Sequence, residues 1–330
     1  MELQDAPEQT PGPGEVVVRV AYCGICGSDL HEFITPGPSL RTAGVFQPVM
    51  GHEFTGTVAA VGARVDSLKE GDPVVVHPGG ACGQCPSCRA GVSNVCVMQQ
   101  GTGYLRPGAY AETVLVRADQ ALHLPGDSWL EQAALTEPFA VAMRAVNRGN
   151  LQPGESVLIA GGGPIGLLSL VAAKRKDAGM IIVSEPAESR RELALQIGAD
   201  YAVDPAQSAS LQARQLTGGH GVDLAIEAVG IPPTMDDCIA ATKRAGRIVI
   251  AGSFVQPYTI NLLNLIVQEQ SIIATFGYVE EFAEARDLIT SSAVDLSPLI
   301  SKTVSLDELP TAFEEISHDR NQYQKVLVRP

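Results

Sequence analysis

The sequence predicts an α/β protein of two domains: a strand-rich region bearing a four-cysteine metal lobe, and a doubly wound parallel sheet. Three observations predict it. Cys82, Cys85, Cys88 and Cys96 crowd into one short segment. From about residue 153 onward, apolar strand-like runs alternate with helix-like segments. A glycine-rich turn, Gly161 to Gly166, lies between the first of those strands and the helix after it.

A chain of 330 residues has room for two hydrophobic cores. Apolar residues make up 45% and charged residues 18%, as in well-packed soluble proteins. With 23 Lys and Arg against 37 Asp and Glu, the formal net charge is -14. So acidic a surface repels phosphate backbones and anionic membranes, which argues against nucleic-acid or membrane partners. It leaves room for an anionic cofactor, because a helix N-terminus can hold phosphate locally. The opening residues Met1-Glu2-Leu3-Gln4-Asp5 have neither a basic stretch nor an apolar core of an export signal. The apolar run Val157 to Ala173 is broken by Pro164 and four glycines, so it reads as strand, turn and helix, not as a membrane span. A cytoplasmic location is expected.

The elements follow in order. Residues 15–22, 57–61 and 74–77 read as short strands punctuated by Gly and Pro. Val157–Ala160 is a buried strand, and Ile165–Lys174 has helical spacing. Ile181–Val183 is the next strand, followed by a helix from Ala187 to Ile197 that ends at Gly198. Leu224–Ala228 and Arg247–Ala251 add two strands, Glu281–Ser291 a helix, and Lys325–Val328 a closing strand. Repeated β-α units of this kind imply a parallel sheet wound in both directions.

In a cytoplasmic chain, seven cysteines point to metal more than to disulfides. Cys82, Cys85 and Cys88 stand three apart, and seven residues separate Cys88 from Cys96. Four thiolates close a tetrahedral Zn²⁺ shell and leave no position for substrate, which defines a structural site. A second set is more dispersed: Cys26 after the first strand, His52-Glu53 after a proline-rich loop, and Glu137 in Thr136-Glu137-Pro138. One thiolate, one imidazole and one or two carboxylates make the open shell of a Lewis-acid site. Taken alone, Cys23 and Cys26 also read as a redox pair; a zinc ribbon with Cys82 and Cys85 is conceivable, but the intervening distance is too long.

In the glycine-rich turn, Gly161, Gly163 and Gly166 fill the three glycine positions of a dinucleotide site, with Pro164 and Ile165 opening the helix. Glu185 closes the second strand nineteen residues beyond Gly166, where a carboxylate accepts hydrogen bonds from the adenosine ribose and repels a 2′-phosphate. NAD is therefore expected over NADP. The competing ligand at such a turn is another adenosine compound, such as a methyl donor.

Together, Cys26-Gly27-Ser28-Asp29 with His31, Gly51-His52-Glu53, the cysteine lobe and the glycine-rich turn resemble the zinc-containing medium-chain dehydrogenase/reductase family over essentially the whole chain. Within it, Glu137 to Ala142 and Phe276-Gly277-Tyr278 look most like butanediol dehydrogenases, with polyol (sorbitol-type) dehydrogenases next. Gly277 stands where sorbitol-type enzymes usually carry a polyol-contacting arginine. The resemblance implies a Rossmann domain over residues 139–277 and a GroES-like catalytic domain over 1–138 and 278–330. It implies two zinc ions per chain, one catalytic and one structural, and NAD. Cys26 and His52 would ligate the catalytic zinc, with Glu53 and Glu137 competing for its remaining positions. Asp29 would orient the ligand imidazole, Ser28 would take the alcohol proton, and His31 would relay it. Arg190 would lie along the adenosine ribose beside Glu185, and Cys23 and Cys238 would be packing residues.

The implied reaction moves hydride between a secondary alcohol, such as 2,3-butanediol, and NAD. Polyol or L-threonine oxidation is the nearer alternative, and a non-catalytic, redox-responsive NAD-binding protein the more distant one. A homodimer or homotetramer joined through Ser271 to Tyr278 is expected. Family members usually begin with a stretch ahead of the segment that opens here, so a shortened start and an unpaired sheet edge are also expected.

Overall fold

The computed structural model describes residues 1–35, 49–319 and 321–330. Its strands and helices are, in chain order, β1 (Glu15–Gly24), α1 (Gly27–Ile34), β2 (Glu53–Val61), β3 (Pro73–Val76), α2 (Pro86–Arg89), β4 (Thr113–Arg117), β5 (Ala121–His123), α3 (Leu130–Ala133) and α4 (Thr136–Arg148). There follow β6 (Ser156–Ala160), α5 (Pro164–Arg175), β7 (Met180–Ser184), α6 (Glu188–Ile197), β8 (Tyr201–Val203), α7 (Ala209–Leu216), β9 (Val222–Glu227), α8 (Pro232–Ala241) and β10 (Thr242–Ile250). The chain continues with α9 (Leu262–Gln268), β11 (Ser271–Ala274), α10 (Glu281–Thr290), β12 (Ile300–Ser305), α11 (Leu309–His318) and β13 (Lys325–Arg329). Met1–Gly12 form neither helix nor strand.

Two compact units result, Met1–Glu137 with Phe282–Pro330, and Pro138–Glu281. The crossings thus fall one residue before the first expected boundary and four after the second.

The first unit is built on β1. It pairs antiparallel with β2, β4 and β13 in a seven-stranded sheet ordered β12-β13-β1-β2-β3-β5, with β4 also on β1. Val16, Val18 and Val20 alternate along β1 into one face and meet Phe54, Val74, Val76, Val114, Phe313 and Val326 in the core. The register Gly24↔Glu53 and Cys23↔Phe54 brings the end of β1 beside the start of β2. That pairing places Cys26 near His52 and Glu53, far apart in sequence.

In the second unit all six strands are parallel, in the order β11-β10-β9-β6-β7-β8. Val157, Leu158, Ile159, Ile182, Val183, Leu224 and Ile226 are fully buried, so these strands are continuous apolar runs covered on both faces. The winding reverses between β6 and β9. A crevice opens at such a switch point beyond the strand ends, and the glycine-rich turn follows β6 there.

Candidate functional site

The cysteine lobe draws four sulfurs together. Sγ separations are 3.5 Å for Cys85–Cys88, 3.8 Å for Cys85–Cys96 and 4.0 Å for Cys82–Cys88, and all four atoms lie within 4.8 Å of one another. A tetrahedral Zn²⁺ with Zn–S bonds of about 2.3 Å has S···S edges of about 3.8 Å, so the cage matches the ion. Backbone N–H groups already point at the sulfurs: Gln84 and Cys85 donate to Cys82, and Cys82 and Met98 to Cys96. Amides of Cys88 and Val97 draw the Cys85 thiol down to about 6. The Gln84 and Cys85 amides lower Cys82 as well, whereas burial and the neighbouring thiols push Cys88 up to about 12. The backbone thus favours the thiolate at Cys82 and Cys85, and metal binding must displace the proton at Cys88.

A second cluster joins Cys26, His52 and Glu53, whose ligand atoms also lie within 4.8 Å of one another. Cys26 caps the N-terminus of α1, and its backbone N–H donates to Asp29 Oδ2 at 3.2 Å. His52 is buried. Its Nδ1 lies 3.3 Å from Asp29 Oδ1, an ion-pair contact off the line of a hydrogen bond. Burial alone would lower the imidazole pKa, but Asp29 and Cys26 hold it well above the ordinary histidine value. With Nδ1 turned to Asp29, Nε2 is left for a metal. The His52 ring also lies against Tyr104, with ring centroids 4.5 Å apart. A thiolate, an imidazole and a carboxylate converging in a buried pocket are the donor set of an open zinc site, so the residues present fit the ion.

Two side chains that sequence reasoning missed complete this region. Lys325 opens β13 and is buried; its Nζ donates to Glu53 Oε2 at 2.7 Å, to Oε1 at 2.9 Å and to Ile25 O at 3.1 Å. Burial alone would lower the lysine pKa, but Glu53 and Cys26 raise it, so the ammonium is kept. A lysine at the head of an apolar strand was the available signal. Tyr110 donates its hydroxyl to Asp29 Oδ2 at 2.7 Å, and no local pattern announced it.

Other expected residues fall around this cluster. Ser28 and His31 lie one turn apart on α1, on the same side. Ser28 Oγ is buried and has no hydrogen-bond partner among the described residues. Glu137 is buried in the first turn of α4 and is not one of the three converging ligands. Cys23 and Cys238 are free, buried thiols.

In the second unit, the glycine-rich turn is sterically fixed. A Cβ on Gly166 would stand 1.8 Å from Gly161 O, and Gly161 itself has φ +109°, a left-handed value suited to glycine. Gly163 caps α5, with Pro164 in its first turn and Ile165 next. Glu185 is buried directly after β7; its Oε2 accepts from Gly162 N at 2.8 Å and its Oε1 from Ala187 N at 2.9 Å. Arg190 on α6 brings Nη1 to 3.9 Å from where a Gly163 side chain would begin.

Two zinc-fitting clusters and a dinucleotide turn mark a metal-dependent oxidoreductase, and comparison with known proteins agrees. Residues 12–126 match the alcohol dehydrogenase GroES-like domain, and residues 164–291 the zinc-binding dehydrogenase domain. Sorbitol dehydrogenase of Bacillus subtilis (strain 168) is 34% identical over 100% of this chain and 94% of its own length. The crystal structure of 2R,3R-butanediol dehydrogenase from Bacillus subtilis superposes with a TM-score of 0.90 at 32% identity, covering 100% of this chain and 96% of that one. That of a putative zinc-binding dehydrogenase from Sinorhizobium meliloti 1021, bound to NADP, gives a TM-score of 0.89 at 32% identity, covering 98% and 94%. The chain belongs to the zinc-containing medium-chain dehydrogenase family. It is an oxidoreductase of the alcohol dehydrogenase type, with a Rossmann-like sheet and a GroES-like domain carrying the cysteine lobe. Among the described residues, no helix is long and apolar enough to cross a membrane.

Proposed function

We propose that this chain oxidises a secondary alcohol of a vicinal diol, such as 2,3-butanediol, to the hydroxyketone, using NAD, and runs the reverse reduction of acetoin. The observation that carries the reading is the convergence of Cys26, His52 and Glu53, with the Ser28 hydroxyl, unpartnered among the described residues, on the adjoining turn of α1. Zinc and a nicotinamide cofactor are the groups these residues serve. Bound zinc would supply Lewis acidity to the substrate hydroxyl, and the nicotinamide a hydride acceptor.

The chain's own residues do the rest. Cys26 and His52 hold the metal, with Glu53 or Glu137 as the carboxylate, and Asp29 orients the His52 ring. Ser28 Oγ would take up the alcohol proton as it gives up its own, and His31, partly exposed one turn on, would pass the released proton towards solvent. Cys82, Cys85, Cys88 and Cys96 hold a structural zinc and take no part in the reaction. Gly161, Gly163, Pro164, Ile165 and Gly166 seat the pyrophosphate, with Glu185 and Arg190 at the adenosine ribose. Because the Glu185 carboxylate is already fixed by two backbone amides, it cannot swing away from a 2′-phosphate, which favours NAD. Gly277 favours a short diol over a long polyol, since no arginine stands there to bind further hydroxyls.

The unit Met1–Glu137 with Phe282–Pro330 serves as the catalytic domain, and Pro138–Glu281 as the NAD-binding domain. A second copy covers the exposed aliphatics of α9 and the free edge of β11, giving a homodimer or homotetramer. Leu262, Leu263, Ile266 and Val267 are each more than 60% exposed, an apolar run unusual for a monomer surface. The cytoplasm is the compartment that suits unpaired zinc-binding thiols.

Steady-state kinetics with butanediol stereoisomers, acetoin, sorbitol and L-threonine test the substrate. A butanediol isomer should give the highest kcat/KM, and a clear preference for sorbitol or threonine would overturn the diol assignment. Metal counting tests the site: two zinc ions per chain are expected. His52→Ala should lose one zinc and turnover while retaining NADH binding.

A further inference from the structure

The carboxylate of Asp29 is buried, with one oxygen turned to His52 and the other receiving two donors. Oδ2 accepts the Cys26 N–H at 3.2 Å and the Tyr110 O–H at 2.7 Å. Tyr110 Oη also lies 3.2 Å from Gly24 O, but one hydroxyl proton serves one acceptor at a time, and the nearer, charged oxygen takes it.

The tyrosine is itself held on three sides. Its backbone N–H donates to Met50 O at 3.0 Å, and the N–H of Ala109 to Gly51 O at 2.9 Å, tying this segment to the residues just before His52. Its ring meets Phe313 edge-on, with centroids 5.9 Å apart. The hydroxyl is therefore a donor held in place by its own backbone and ring: the Met50 and Gly51 carbonyls anchor the segment beside His52, and Phe313 flanks the ring.

We propose that Tyr110 is a positioning residue for the catalytic metal, its hydroxyl fixing the Asp29 carboxylate that orients His52. The proposal rests on the reading of Cys26 and His52 as ligands of a catalytic zinc. Without the hydroxyl, Asp29 Oδ2 loses the shorter of its Cys26 and Tyr110 donors, and the carboxylate is held less firmly towards the imidazole. Groups one step outside a ligand shell are worth about 10- to 100-fold in metal affinity. A residue one step further out should sit near the lower end, about tenfold.

The test uses the full chain loaded with both zinc ions and competed with a chromogenic chelator, the cysteine-lobe zinc serving as internal control. Tyr110→Phe keeps the ring and removes only the hydroxyl. It should release one zinc about tenfold more readily, hold the other as the wild type does, and shift the visible spectrum of Co²⁺ placed in the catalytic site. In an Asp29→Asn background, adding Tyr110→Phe should cost no further metal affinity, because the tyrosine acts through the carboxylate. Wild-type retention of both ions, parallel loss of both, failure to fold, or an additive loss in the Asp29→Asn background would each overturn the proposal. A wild-type chain that binds one zinc would instead overturn the catalytic-metal reading beneath it.

Discussion

Lys325 and Glu53 are 272 positions apart in the chain, yet both oxygens of the carboxylate bond the ammonium in a site where neither group meets water. Removing one partner of such a pair leaves a buried charge without its counter-ion, at a cost of about 3–5 kcal/mol. Lys325→Met should therefore lower stability in urea by about that amount. Adding Glu53→Gln should recover most of it, because the stranded charge is then gone; equal stability of the two single variants and the wild type would refute the account. The same residues show what a sequence reveals. Cys26, His52 and the four lobe cysteines were legible because their chemistry is carried by residue type and short spacing. Lys325 and Tyr110 were not, since their contacts close across 272 and 81 positions and exist only once β13 and the segment before β4 are in place.

At the scale of the element, the β6–α5 turn has the least tolerance. Gly166→Ala would drive a methyl into Gly161 O, and neither atom can retreat without lifting α5 from β6. A loss of about 1–3 kcal/mol is expected, with weakened NADH binding in a fluorescence titration. Glu281, at the start of α10, offers a pH handle. Burial alone would raise its pKa, but the Val279 N–H, Asn147 and Arg144 hold it below the ordinary glutamate value. A depressed carboxylate stabilises the fold above its unfolded pKa, and that contribution is lost as pH falls through the folded one. Glu281→Gln should thus be less stable than the wild type by about 1 kcal/mol at pH 7, the gap closing as pH falls below the ordinary glutamate range. The strands β6, β7 and β9 were readable because burial on both faces makes them unbroken apolar runs. By contrast, β5 and β8 are three residues each, too short for any period to register. Strand β10 begins at Thr242, before the expected Arg247, with an irregular register between those residues that no alternation could signal.

At the scale of the whole chain, the cysteine lobe is held to the fold by metal more than by a core. Val97 is 78% exposed and Met98 62%, and the lobe's only helices are of four and three residues. Cys88→Ser should cost one zinc per chain and lower Tm, since binding energy at such a site is folding energy. Association is tested at the opposite end of the sequence. Ile266 is 70% exposed on α9, so a charge there should leave an isolated chain stable while disrupting a paired one. Ile266→Glu is expected to reduce the mass seen by light scattering to that of one chain, without lowering Tm by more than a few degrees. An unchanged mass would place the interface elsewhere.

The position of Lys325 has a consequence for biosynthesis. The four lobe cysteines and the pair Cys26–His52 leave the ribosome early, whereas the ammonium that neutralises Glu53 is translated 272 residues after it. The lobe is a local hairpin of sequence and can capture its ion while translation is under way. The pocket of Cys26, His52 and Glu53 lacks that counter-ion until β13 joins β1, so it reaches its finished charge only after Lys325 has been made.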